Sequence, residues 1–295
     1  MLITPLPGSD RKYLHTALVE LHQRLVNLRG GSRSEARERA FAYVEWMHEA
    51  RRRLYNHVRS AELDHLIPVR SYELLISVTA TAPHPPKSGE ERILNGLIST
   101  DQSERVDVFE RALSDLEQQI ERVTQSGKLV VLDTNVYLHH PQKLEEMDLA
   151  PVLGTRYDPI RIIVPMIVVD ELDGLKQHSK TRNRWRAAYT TAVLDRVVSM
   201  PAGTGILRHS DFTRLVSEGF ARGEVSVQVL LDPPGHVRLP IADEEIIDRA
   251  LAVELLASRP VCLVTYDTGM AMRAKAAGLQ VVKLEQELGD EPKAG

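Results

Sequence analysis

The chain has one cysteine among its 295 residues, Cys262. That excludes an intrachain disulfide and any zinc site built from cysteine pairs. Cys262 stands in the apolar run Val261-Cys262-Leu263-Val264 and reads as a small buried hydrophobe. Long hydrophobic runs are missing too: the longest, Ile162 to Val169, spans eight residues and contains Pro165, against the roughly 20 needed to cross a bilayer. No membrane partner is expected. The first residues, Met1 to Gly8, show neither a basic stretch nor an apolar core of the secretory type, so the expected location is the cytoplasm. An excess of positive charge is also absent. With a net charge of −4, the chain does not coat nucleic acid by bulk charge, and any RNA contact must come from a local patch. No repeat with a period of about 20 to 50 residues is apparent.

What is present has the balance of a globular protein, 43% hydrophobic and 26% charged residues, and the length suits two domains. Residues 1–126 read as a helical domain. Leu14, Leu18, Leu21, Leu25 and Leu28 recur every three or four positions, forming one apolar helix face that Gly30-Gly31 ends. A second stripe, Val44, Met47, Leu54 and Val58, follows Ser34, a fitting N-cap. After the turn-rich connector Pro83 to Gly89, Val106, Phe109, Leu113, Leu116, Ile120 and Val123 mark a third amphipathic helix. Each stripe covers only about three heptads, so a small bundle accounts for it as well as a coiled coil does. These helices are also where a homo-oligomer or a partner protein would attach. No motif in this part suggests chemistry.

At Gly127 the pattern changes. Leu129 to Leu132, Ile162 to Val164, Val225 to Leu231, Val261 to Val264 and Val281-Val282 are short apolar runs rich in strand formers, with helical stretches between them. Strands buried on both faces and alternating with helices indicate a parallel sheet flanked by helices, so residues 127–288 are expected to form an α/β domain and 289–295 a tail. Sites in such sheets form at the carboxyl ends of the strands.

Four acidic segments fall near those ends. Asp133 directly follows the first run; Glu171, in Val168 to Lys176, borders the apolar face made by Val168, Leu172 and Leu175; Asp243 opens a helix with Glu244 and Glu245; Asp267 follows Val264-Thr265-Tyr266. Each alone has a structural reading, since Asp caps helices and acids favour a first turn. Together they can converge on one mouth, where they would repel unless a divalent cation neutralised them. Oxygen-only ligation favours Mg²⁺ or Mn²⁺ over zinc. Phosphatases of the haloacid-dehalogenase type place a second Asp two residues after the first, whereas Asn135 stands there. Asp248, one turn beyond Asp243, either joins the site or pairs with basic neighbours. His139-His140, before Pro141, reads as surface loop.

Leu132-Asp133-Thr134-Asn135, Asp170-Glu171-Leu172-Asp173, Asp243 with Ile246, and Val264-Thr265-Tyr266-Asp267 resemble, in order, the four motifs of PIN domains. The spelling is closest to PIN domains found beside PhoH-type ATPases. The resemblance covers about Lys128 to Leu284 and leaves Val225 to Leu231 without a matching motif. It implies a Rossmann-like fold and Mg²⁺- or Mn²⁺-dependent RNA hydrolysis. Asp133, Glu171, Asp243 and Asp267 would be the catalytic acids, with Asp133, Asp243 and Asp267 on the metal. Thr134, Asn135 and Thr265 would orient them, as groups behind ligand carboxylates do.

Five lysines or arginines lie between Lys176 and Arg186 with no acid among them: Lys176, Lys180, Arg182, Arg184 and Arg186, with Trp185 in their midst. Such a run is either a solvated helix face or a groove that tracks phosphates while Trp185 stacks a base. A metal-dependent endoribonuclease is the expected function. Its rivals are a non-cleaving RNA-binding or protein-interaction module on the same fold, and a structure-specific DNA nuclease, which would carry more carboxylates and a longer helical arch.

Overall fold

The computed structural model describes all residues except 1, 2, 4, 7, 8, 31–34, 82–87, 125, 126, 179, 180, 201, 202, 214–220, 233–235 and 286–295. The expected cap Ser34, the connector residues Pro83 to Lys87, Lys180 and the 289–295 tail lie outside the described residues. The chain divides into two compact units, Met1–Thr124 with Leu255–Ser258, and Gln125–Glu254 with Arg259–Gly295.

The first unit is helical: α1 (Arg11–Gly30), α2 (Ala36–Leu54), α3 (Ser60–Leu66), α4 (Val69–Thr81) and α5 (Gly89–Thr124). The apolar stripe of α1 buries Leu14, Leu18, Leu21 and Leu25. It packs against α2 and α5. In the centre Trp46 stacks on Tyr43 with ring centroids 5.7 Å apart and leans on Phe109 at 5.5 Å. Its indole nitrogen donates to the Leu21 carbonyl at 3.0 Å, satisfying the one polar atom that its burial would otherwise strand. The third stripe belongs to a helix of 36 residues that starts well before Val106.

The second unit is an α/β layer structure with β1 (Lys128–Leu132), α6 (Thr134–His139), β2 (Ile160–Pro165), α7 (Met166–His178), α8 (Thr181–Val197), β3 (Thr204–Arg208), β4 (Val225–Leu230), α9 (Ala242–Ala257), β5 (Val261–Thr265), α10 (Thr268–Ala276) and β6 (Gln280–Lys283). The strands form one sheet in the order β3-β4-β2-β1-β5-β6. Every pairing is parallel except that of β3 with β4, at the edge. β3 was not expected from sequence, because Thr204-Gly205-Ile206-Leu207-Arg208 is mixed in character and only half-buried, as edge strands are. Pro165 closes β2, opposite Leu230, and α7 starts at the next residue, Met166. Gly127 enters β1 at φ +117°, and a Cβ there would stand 2.5 Å from the Pro159 carbonyl oxygen, so only glycine fits this approach.

This strand order decides where a site forms. From β1 the chain builds outward on one side through β2 to β4, then crosses back to lay β5 and β6 on the other side. β1 and β5 are therefore adjacent strands with connections leaving in opposite directions. The carboxyl ends of such a pair open a crevice that no crossover covers.

Candidate active site

Asp133 stands at that crevice. Its backbone N–H still donates to the Val264 carbonyl at 3.0 Å, extending the β1 to β5 register by one residue, while it serves as N-cap residue of α6. Asp133 is only 3% exposed. Oδ2 accepts from the fully buried Thr265 hydroxyl at 2.8 Å, and that same hydroxyl oxygen accepts from the Asp267 N–H at 2.9 Å. One threonine thus links the end of β1 to the turn after β5.

Glu171 arrives from α7. Helical spacing buries Val168 and Leu172 and leaves Glu171 half-buried beside them. Its Oε2 accepts from the Thr134 hydroxyl at 2.5 Å, so Thr134 orients this carboxylate as Thr265 orients Asp133. Burial pushes the Asp133 carboxyl above the ordinary range, with Thr265 and Asn135 pulling it back and the Asp243 charge pushing it further up. Burial raises Glu171 too, Thr134 lowers it, and the charges of Asp133 and Asp243 add to the rise. The charge of Asp243 thus acts on both Asp133 and Glu171, and that of Asp133 on Glu171, although the three come from separate segments.

Asp243 lies in the first turn of α9 and forms an ion pair with Arg273 of α10. Asp267 differs from the others. It is exposed and caps α10, its Oδ1 accepting from the Met270 N–H at 2.6 Å, so the structural role open to it from sequence is one it fills. Asn135 is exposed next to Asp133, and Asp248 is half-buried one turn along α9 from Asp243. Tyr137, which sequence did not single out, is fully buried behind Asp133; burial and the Asp133 charge both keep its phenol protonated.

A further polar group adjoins α9. Among the described residues, Asp232, His236 and Glu245 are the one set of three such side chains whose ligand atoms all lie within 4.8 Å of one another. Asp133, Glu171 and Asp243 do not close that tightly. The His236 Nε2 lies 2.6 Å from Glu245 Oε1 in a fully buried pair, and Glu245 Oε2 accepts from the Leu239 N–H at 2.9 Å. Arg238 pairs with Asp232 and with Asp170 of α7, each at 2.6 Å. These bonds fasten the segment from His236 to Leu239 across the starts of α7 and α9, the two helices that carry Glu171 and Asp243. Sequence offered only the acidic start of α9 as a signal; Glu245 is on the apolar side of that turn, next to Ile246 and Ile247.

The basic segment splits. Arg182 and Arg184 are exposed, and Trp185, 52% exposed, stacks on Tyr189 at 5.3 Å with the Lys143 ammonium over both rings. Lys176 pairs with Asp173 at 2.6 Å. Arg186 corrects the expectation of an RNA-facing side chain: it is 7% exposed and donates to the carbonyls of Tyr137, His140 and Gln142. It falls on the buried face of α8 with Ala187 and Thr190, where the carbonyls at the end of α6 need donors.

A family model described as PIN domain matches residues 130–285, which includes all four acids and both orienting threonines. No curated protein matches the chain.

Proposed function

The chain belongs to the PIN-domain family, a family of nucleases, and we propose that it is a divalent-metal-dependent endoribonuclease. The observation that carries this reading is that Asp133 and Glu171 are held by Thr265 and Thr134 at the carboxyl end of the sheet, with Asp243 near enough to push both carboxyls up. A partly buried like-charged cluster destabilises a fold unless a cation or protons offset it. The donor set fits a hard cation: carboxylate oxygens, with no thiolate among them. In this reading Asp133, Asp243 and Asp267 would hold Mg²⁺ or Mn²⁺, Asp267 giving up its helix-cap bond to do so. When bound, the cation lowers the pKa of a water and stabilises charge developing at phosphorus.

The chain's own residues supply the rest. Thr265 and Thr134 fix the carboxylates of Asp133 and Glu171 in direction, so that little reorganisation is needed as the substrate arrives. Glu171, held half-buried with a raised pKa, is suited to take a proton from the attacking water. RNA would approach along α8, with Arg182 and Arg184 on phosphates and Trp185 under a base. Lys176 would have to leave Asp173 to take part.

The test is incubation of the purified full chain with end-labelled RNA and DNA in Mg²⁺, Mn²⁺ or EDTA. Internal cleavage of RNA that needs the metal and disappears in Asp133→Asn is expected. Cleavage that persists in EDTA or in that variant would sink the reading, and RNA binding without cleavage would favour a non-cleaving module.

A further inference from the structure

Taking Asp243 as a cation ligand, as the preceding reading does, we propose that Arg273 is a counter-ion of the site that competes with the divalent cation and sets the concentration at which the site loads. The Arg273 Nη2 is ion-paired with Asp243 Oδ2. The same guanidinium reaches back along α10 over Gly269. A Cβ at that glycine would stand 3.2 Å from Asp267 Oδ1 and 3.7 and 3.9 Å from the two Arg273 amino nitrogens. The guanidinium paired with Asp243 therefore lies on the same side of the first turn of α10 as the Asp267 carboxylate.

The position is unfavourable for a cation on other grounds. Arg273 belongs to the last turn of α10, where a positive charge suits the helix dipole, yet its side chain is drawn back to the first turn, the positive end. The ion pair with Asp243 is what holds it there. Both ion-pair partners are partly open to water, with 43% and 34% of their side chains exposed, so solvent screens the pair. An exposed pair of this kind yields to a divalent ion, whereas a buried one would not. Because a guanidinium keeps its charge at any working pH, the competition does not depend on protonation of Arg273.

The experiment is titration of the full-length protein with Mn²⁺, reading free Mn²⁺ by its paramagnetic resonance signal, for the wild type, Arg273→Gln, Arg273→Lys, and the Arg273→Gln change in an Asp243→Asn background. Arg273→Gln is expected to bind Mn²⁺ about five-fold more tightly, the size of an exposed ion pair. Arg273→Lys should stay close to wild type because it keeps the charge. In Asp243→Asn the gain from Arg273→Gln should vanish. Unchanged or weaker binding in Arg273→Gln overturns the proposal, as does equal tightening by lysine. RNA cleavage run alongside separates the two ideas. A chain that cuts RNA with a Mn²⁺ affinity indifferent to Arg273 keeps its ribonuclease function and loses the counter-ion. One that tightens as expected but cuts nothing keeps the counter-ion and loses the ribonuclease reading. Absence of Mn²⁺ binding in every variant overturns both.

Discussion

The helical unit and the sheet unit both bury polar side chains, but at the open end of the sheet acids stand beside like charges. In the helical unit Trp46 donates to the Leu21 carbonyl, Tyr43 to Asp101 at 2.7 Å, and Arg105 to the His65 carbonyl at 2.7 Å, each a buried donor meeting an acceptor. In the sheet unit Asp133 and Glu171 are buried or half-buried with hydroxyl donors on one side and like charges on the other. Complementary burial serves the architecture. Like-charged burial opposes it, and its presence at the open end of the sheet marks a place kept for something other than stability.

The sharpest break of this contrast is Asp133→Asn. Cleavage should fall by at least about 100-fold, the scale of losing a principal electrostatic group, while the melting temperature in EDTA holds or rises because a repelling charge is gone. A variant that melts well below wild type would mean that Asp133 is architectural like Tyr43. The complementary break is Phe109→Ala in the helical unit, which should destabilise it by about 3–5 kcal/mol through the cavity beside Trp46. Trp46 and Trp185 are the chain's two tryptophans, so a Trp185→Phe background lets fluorescence report the helical unit alone during urea unfolding. A midpoint unmoved by Phe109→Ala would contradict that packing.

Arg186 tests the contrast within one helix. Arg186→Ala should lower stability by about 1–3 kcal/mol, because buried carbonyls lose a charged donor. Arg182→Ala with Arg184→Ala should leave stability alone and flatten the salt dependence of RNA binding by roughly 0.7 log units per lost phosphate contact. If Arg186→Ala instead behaves like the exposed pair, the buried assignment fails.

The smallest effect is one of pH. The Asp133 and Glu171 carboxyls have folded-state pKa values raised above the unfolded ones, so in EDTA the native chain keeps protons that the unfolded chain releases. Stability from these groups is therefore fully present below the ordinary carboxylate value of about 4 and is lost as pH rises through the raised values. The difference in melting temperature between wild type and Asp133→Asn should thus widen from pH 4 towards neutrality, in favour of the variant. A difference that narrows over that range would mean the burial cost has been misjudged.

Much of the fold was legible along the chain because its signals are local. Leu129 to Leu132 and Val261 to Val264 read as strands from their unbroken apolar character, and Leu14 to Leu25 as a helix face from its spacing. β3 was not legible, since an edge strand half open to water carries no such signature. The placement of Asp133 and Asp267 after strands could be read in the same local way. That Asp133 is 3% exposed while Asp267 caps a helix in the open could not, because both follow an apolar run and differ only in what lies across from them.

Sequence by itself therefore determined the elements, their order and the acids at their ends, since periodicity and apolar runs are properties of a few neighbouring residues. Tertiary structure alone decided which of those residues meet. Arg186 looked like one more charge in a basic run until α8 turned it to the carbonyls ending α6. Arg273 had no distinguishing feature until the sheet order brought α10 beside the start of α9, 30 residues away in sequence. Pairings of this kind depend on strand order and helix rotation, which are set by the packing of the whole sheet and are encoded in no single segment.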